Sequence, residues 1–195
     1  LTTPVVTEAE ADTTWNEYGL GCRIEISKGT EVLDPYNKTA NLSGNGTAED
    51  PFIISSYDHL KRLRSMTNDQ TQNKFLTAST YFLQIADINM DKASYDSDHQ
   101  FGWLSIGNVP NNPFRGIYDA GYKIKTVATR QNSTGIALFG YTEKAIFKHV
   151  WMENPKMEGN FAVGALVGGA VSAGDMRDKT SLIGCTTSGG YIKAS

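Results

Sequence analysis

The sequence predicts an all-β fold, a parallel β-helix in which short strands coil into stacked rungs. Three observations carry that expectation. Ala137-Leu138-Phe139-Gly140 recurs 28 residues later as Ala165-Leu166-Val167-Gly168, and self-similarity at a period of roughly 20 to 50 residues marks one supersecondary unit stacked on the next. From Tyr81 onward the apolar residues form short alternating runs: Phe82, Ile85 and Ile88; Ile117, Ile124 and Val127; Ile136 and Leu138; Ile146 and Val150; Val163 and Leu166; Ile183 and Ile192. Gly, Asn or Asp interrupts these runs every 6 to 12 residues, the pattern of short strands bounded by turns. The 19 glycines suit those turns, where φ is often positive and a β-carbon is costly. A coil also meets both needs of parallel strands, a crossover and covered faces, because each rung returns the chain and buries a shared column of side chains.

Along the chain, residues 1–43 differ in texture from the rest. Residues 1–14 are rich in Thr, Glu and Ala, and residues 15–35 hold a strand around Cys22-Arg23-Ile24-Glu25-Ile26 before turns at Lys28-Gly29 and Asp34-Pro35. This N-terminal extension is expected to pack along the coil or its cap. Residues 44–195 are the β-helix domain. Its N-terminal capping α-helix is expected at residues 56–66: Ser56 is the N-cap, Asp58 puts an acid in the first turn, and Leu60, Leu63 and Met66 form an apolar stripe. Laid across the first rung, such a helix hides unpaired backbone and the apolar column beneath it. Lys61, Arg62 and Arg64 read as its solvated face rather than as an anion site.

The rungs occupy residues from about 80 to 195. Residues 145–150, after the first repeat, are similar to residues 181–186, after the second. Ile146 and Ile183 are 37 residues apart, which implies nine inserted residues in a loop within 169–181. Gly189-Gly190-Tyr191-Ile192-Lys193-Ala194-Ser195 reads as the start of another rung with an unprotected edge. The chain is therefore expected either to continue into further rungs or to meet another copy end to end, with Tyr191 and Ile192 as the assembly edge.

Several strings in order carry a family resemblance. They are Gly44-Asn45-Gly46-Thr47-Ala48-Glu49-Asp50-Pro51-Phe52-Ile53-Ile54-Ser55, Tyr81-Phe82-Leu83-Gln84-Ile85-Ala86-Asp87-Ile88, and Trp103-Leu104-Ser105-Ile106-Gly107 followed by Phe114-Arg115-Gly116-Ile117-Tyr118-Asp119, then the two repeats. This series resembles the opening segment, first rung, W-x-x-I-G…F-x-G-x-x-D stretch and G-L-V-G strings of the GLUG-motif proteins of bacterial surfaces and secretions. It covers roughly residues 44–195. Ala137 and Ala165 stand where the family has its first glycine, and Asp119-Ala120-Gly121 shortens its D-G-x-G turn. The resemblance implies a right-handed parallel β-helix, an extracellular or cell-surface location, and a role as an adhesin or as a companion to a catalytic domain carried elsewhere.

Composition narrows the functional classes. At 195 residues and 39% hydrophobic, the chain can bury a sizeable core. Net charge -3 and a pI near 5.6 argue against nucleic acid as a partner, and no apolar run has membrane length. The start of the sequence, with no Met and no signal segment, reads as a mature secreted form or an excised piece. Cys22 and Cys185 lack the paired spacing of a zinc or redox site. They read as two buried thiols, with a single disulfide as the alternative; the resemblance places Cys185 at a core cysteine of the family.

A catalytic β-helix would bring carboxylates and basic residues together on one face. The richest acidic stretch, Asp91, Asp96 and Asp98 beside His99, lacks the glycine and glutamate of an EF-hand loop and reads as a solvated loop. No catalytic residue, metal ligand or cofactor is assigned. The sequons at Asn37, Asn41, Asn45 and Asn132 read as turn asparagines. Among the aromatics, most are expected in the core, while Tyr118, Tyr122 and Tyr141 flank turns and are the candidate binding residues, the partner being a glycan or a host surface protein. Two functions remain: a non-catalytic extracellular β-helix module acting in adhesion, projection or self-assembly, and a β-helix polysaccharide lyase or hydrolase.

Overall fold

The structure, a computed structural model, describes residues 42–91, 102–172 and 179–194. The expected strand at residues 22–26 and Cys22 lie outside these, as do Asp96, Asp98, His99, Asn37 and Asn41. Strand β1 (Phe52–Ile54) leads into α1 (Tyr57–Asn68) and the short α2 (Gln70–Asn73), then β2 (Tyr81–Gln84) and β3 (Ile88–Asn89). The chain next makes one pass through β4 (Ile117–Asp119), β5 (Lys123–Lys125), β6 (Ala128–Arg130), β7 (Thr134–Ile136) and β8 (Phe139–Thr142). A second pass runs through β9 (Ile146–Lys148), β10 (Trp151–Glu153), β11 (Lys156–Gly159), β12 (Phe161–Val163) and β13 (Val167–Ala170), and a third begins with β14 (Ser181–Ile183), β15 (Thr186–Ser188) and β16 (Tyr191–Ala194).

Strands holding the same place in successive passes pair with one another. The sheets run β1-β2-β4-β9-β14, β3-β5-β10-β15, β6-β11-β16, β7-β12 and β8-β13. Every paired strand is parallel. The class is therefore all-β with parallel sheets, and among the described residues the two helices lie between β1 and β2.

The 28-residue repeat is a pairing step. Phe139 pairs with Val167, Lys123 with Trp151 and Ala128 with Lys156, each 28 residues on, and the Leu138 amide donates to the Ala165 carbonyl at 3.0 Å. The next step is longer by seven residues rather than nine: Ile146 pairs with Ser181, not Ile183. The sequence comparison matched isoleucine to isoleucine, yet the inward residue Phe147 sets the register, and it lies opposite Leu182. Since Ala170 still pairs with Thr142, the extra length falls after Ala170 and before Ser181.

A third copy of the repeat went unseen in sequence. Ile106 bridges Phe139 in parallel, and the amides of Gly140 and Tyr141 donate to the carbonyls of Ile106 and Gly107, both at 2.7 Å. Ile106-Gly107, Phe139-Gly140 and Val167-Gly168 thus lie in consecutive layers. A β-carbon on Gly140 would stand 2.5 Å from the Gly135 carbonyl oxygen, and one on Gly168 would stand 2.8 Å from that of Ala162. These glycines let two segments of one pass close on each other.

The core is a set of inward columns of residues paired across successive passes. Phe52, Phe82, Tyr118 and Phe147 follow one another across the first sheet, and Ile88, Ile124 and Met152 across the second. Phe114 and Phe139 fill the space between, with ring centroids 4.8 Å apart and 5.7 and 4.7 Å from Phe147. Buried aromatic pairs at these separations add to the gain from removing their area from water.

Helix α1 starts at its expected N-cap: the Ser56 hydroxyl accepts from the His59 amide at 3.2 Å. It runs two residues further than expected, and its inward stripe is Leu60, Leu63, Arg64 and Thr67, the i, i+3, i+4, i+7 spacing of a single face. Arg64 therefore corrects the solvated reading. Its guanidinium lies 4.8 Å from the centroid of the Trp103 ring, where the cation is held by the indole face, while Met66 is only partly buried against the core.

Gly140→Ala is expected to cost about 1–3 kcal/mol, because the intruding β-carbon meets backbone that has no room to move. Gly121, whose β-carbon would meet nothing within 4 Å, is the control. Urea denaturation of the two variants should show a lowered midpoint for Gly140→Ala alone.

Candidate functional site at the turn between two sheets

Three-residue strands leave a simple division of labour. The middle residue points inward, as Tyr118, Ile124, Phe147 and Met152 do, and the residues on either side point outward. Parallel pairing then brings outward residues of successive passes together: Asp119 beside Lys148, Lys123 beside Trp151, and Lys125 beside Glu153. The turns from β4 to β5 and from β9 to β10 carry these rows from the first sheet to the second.

Asp119 is the centre of the first row. Tyr81 donates its hydroxyl to Asp119 Oδ2 at 2.6 Å, and His149 Nδ1 stands 3.1 Å from Oδ1, where its N–H tautomer donates to the carboxylate. Lys148 Nζ is 3.9 Å from Oδ2 and 5.5 Å from the centroid of the Tyr81 ring. Partial burial pushes the Asp119 carboxyl up, but the hydrogen bonds from Tyr81 and His149 and the charge of Lys148 outweigh it and hold the group below its ordinary range. The same hydrogen bond, with some burial, pushes Tyr81 up to about 12. His149 sits at φ 54, above Gly184, whose missing side chain leaves 3.1 Å between a hypothetical β-carbon and the imidazole.

The second row joins an ion pair to an aromatic ring. Lys123 Nζ is 2.8 Å from Glu153 Oε2 and 4.2 Å from the centroid of the Trp151 ring. Trp151 Nε1 donates to Ser188 Oγ at 3.3 Å, so the indole is tied from both neighbouring passes while 41% of the residue stays exposed. Lys125 pairs with Asp87 at 2.8 Å, and Asp87 also accepts from the Lys123 amide.

The candidate binding residues divide. Tyr118 is fully buried, which corrects its expected exposure: it is the inward residue of β4, and its hydroxyl donates to Gln84 Oε1 at 3.0 Å inside the core. Tyr122 lies in the turn before β5 and is 45% exposed. Tyr141 is half-buried on another part of the surface, its ring against Gly135 and Gly169 and its hydroxyl donating to Thr134. Tyr191 and Ile192 are both exposed, but on opposite faces of β16. Tyr191 donates to the outward Glu158 at 2.9 Å, while Ile192 continues the inward column of Met157.

Sequence reasoning did not single out Trp151 or the Asp119–His149 pair. The signal was available in the repeat: Trp151 lies 28 residues after Lys123, one pairing step, and His149 lies 30 after Asp119. Asp91 takes part in a local turn, its amide donating to Asn89 Oδ1 at 3.1 Å. Cys185 packs partly against the core, its thiol 3.5 Å from the Phe147 carbonyl. Among the described residues no three His, Cys, Asp or Glu side chains gather at a metal-binding spacing, and no helix is long and apolar enough to cross a membrane.

Asp119→Asn is expected to cost about 1–2 kcal/mol at pH 7, from weakened charge-assisted hydrogen bonds. A carboxyl whose folded pKa lies below its unfolded value, about 3.9, stabilises above that value and loses the contribution as pH falls through the folded pKa. The gap between wild type and variant in urea midpoints should therefore close below about pH 4. Tyr81 acts at the other limit: with its folded pKa raised to about 12, its contribution is complete below about pH 10 and is lost as pH rises towards 12. Tyr81→Phe should flatten the alkaline limb of the stability curve.

No family model matches the chain. Halomucin of Haloquadratum walsbyi is 29% identical to it over 153 residues, a stretch that covers 73% of this chain and 2% of halomucin. The crystal structure of a Bacteroides ovatus protein described as a candidate immunoglobulin A1 protease is similar with a TM-score of 0.57 at 20% identity, covering 75% of this chain and 40% of that one. The second likeness is one of fold, and in both comparisons this chain spans the smaller part of its relative.

Proposed function

We propose that the chain is a right-handed parallel β-helix module of the GLUG-motif type, capped by α1, which serves a surface or secreted protein in adhesion, projection or self-assembly without catalysis. The observation that carries this reading is the return of the chain, at steps of 28 and 35 residues, to the same parallel sheets in the same order. Such a scaffold grows by adding rungs and holds its outward side chains in rigid rows, which suits spacing and display. The matches to limited stretches of larger proteins support a modular role. In β14 and β16 the inward residues Leu182 and Ile192 are about half exposed, and a further rung or a second copy seated there would cover them.

A carbohydrate-active enzyme is the second reading, favoured by one observation: Asp119 holds an exposed imidazole by its Nδ1 and leaves Nε2 available as a base. A screen against glycans and host matrix proteins, run beside a polysaccharide cleavage assay, separates the two. Binding without cleavage is the expected result. Cleavage abolished by His149→Ala, or by the combined Asp91→Asn, Asp96→Asn and Asp98→Asn variant, would establish the enzyme instead. Light scattering over a concentration series tests assembly, with growth of the particle expected to be suppressed by Ile192→Lys.

A further inference from the structure

The outward rows described above meet at the turn between the first two sheets, and their chemistry selects a ligand. We propose that this surface, formed by Tyr122, Lys123, His149, Trp151 and Glu153, binds a neutral, hydroxyl-rich glycan; the inference rests on the reading of the chain as an extracellular binding module. Two rings, Tyr122 and Trp151, are exposed, while Tyr118 and Phe147 of the same two passes are buried and Tyr81 is only partly exposed. Flat, partly exposed rings offer an apolar face to the C–H side of a sugar while leaving its hydroxyls to polar neighbours.

The charges decide which sugar. Asp119 is matched by Lys148, Glu153 by Lys123, and Asp87 by Lys125. The surface thus presents three carboxylates against three ammonium groups, with His149 beside Asp119. No net field remains to attract a polyanion, and an acidic glycan would have to compete with carboxylates already holding those cations. A neutral hydroxyl can donate to Glu153 or to His149 Nε2 and accept from Lys123 without breaking a pair.

The site is also held ready. Lys123 against the ring and Ser188 at the indole nitrogen fix Trp151 from two different passes. Little side-chain freedom is left to lose on binding, which favours affinity from a small contact.

Calorimetry with neutral hexose oligosaccharides, uronate oligosaccharides and sulfated oligosaccharides on the full chain tests the assignment. The expected result is binding of a neutral oligosaccharide alone, insensitive to added salt, with Trp151→Ala losing about tenfold or more in affinity, Trp151→Phe retaining most of it, and Tyr141→Ala unchanged. Thermal melting confirms that each variant is folded; because Trp151 is exposed, its replacement leaves the core intact. Failure of every neutral glycan, preference for an anionic one with steep salt dependence, or equal losses in Trp151→Ala and Tyr141→Ala would overturn the proposal. Labelling of the natural protein on intact cells, read separately, tests the extracellular reading. A surface-exposed protein that ignores neutral glycans sinks only this site, and a glycan-binding protein absent from the surface sinks only the location.

Discussion

The rest of the structure depends on in-register stacking, one inward side chain over its counterpart from the previous pass. Strands of three residues cannot hold a sheet alone, since each contributes few backbone bonds and a single buried side chain. Repetition supplies what length does not. Phe52, Phe82, Tyr118 and Phe147 form a continuous column on the first sheet, and Phe114 and Phe139 close against it from the side. Each ring buries its face on rings from other passes, so burial is a property of the stack and of no single strand. The column thins at β14, where Leu182 takes the place of Phe147 and is 55% exposed.

Stacking also imposes backbone conformation at the turns. Thr126, Asn154 and Gly189 occupy the same turn in successive passes, with φ of 58, 53 and 65 degrees. The Thr126 amide donates to the Glu153 carbonyl and the Asn154 amide to the Ser188 carbonyl, both at 2.8 Å. A left-handed residue other than glycine costs about 1–2 kcal/mol, and at Thr126 and Asn154 the bonds to the next pass offset that cost. His149 is a functional consequence of the same device: its left-handed turn brings the imidazole to Asp119 and over Gly184.

Outside the core, the register that stacks apolar residues necessarily stacks polar ones. Asp119 meets Lys148, and Arg130 meets Glu158 at 3.2 Å. Exposed pairs of this kind contribute little to stability, typically under about 1 kcal/mol each. Their importance lies in arrangement: they neutralise the surface in rows and hold Trp151 and His149 in fixed positions between them. The scaffold and the candidate site are therefore two faces of one pairing pattern.

The sequence by itself determined the strand class, the pairing step and the helix start. Those are properties of local pattern: the 28-residue recurrence, the alternation of Phe82 and Ile88 with polar neighbours, and Ser56 before an amphipathic stretch. Only the tertiary structure decided which alternating residues face inward and which outward partners meet. Tyr118 and Tyr122 are four residues apart, both aromatic and both next to turns, yet one is wholly buried and the other exposed. In a three-residue strand a shift of one position reverses the side chain, so burial depends on register against the neighbouring passes rather than on residue type. Arg64 and Trp151 follow the same logic, each placed by partners distant in sequence: Trp103 for the first, Lys123 and Ser188 for the second. Asp119 and His149 stand 30 residues apart in the sequence until one return of the chain sets them side by side, because hydrogen bonding across passes is a relation of space that local sequence does not encode.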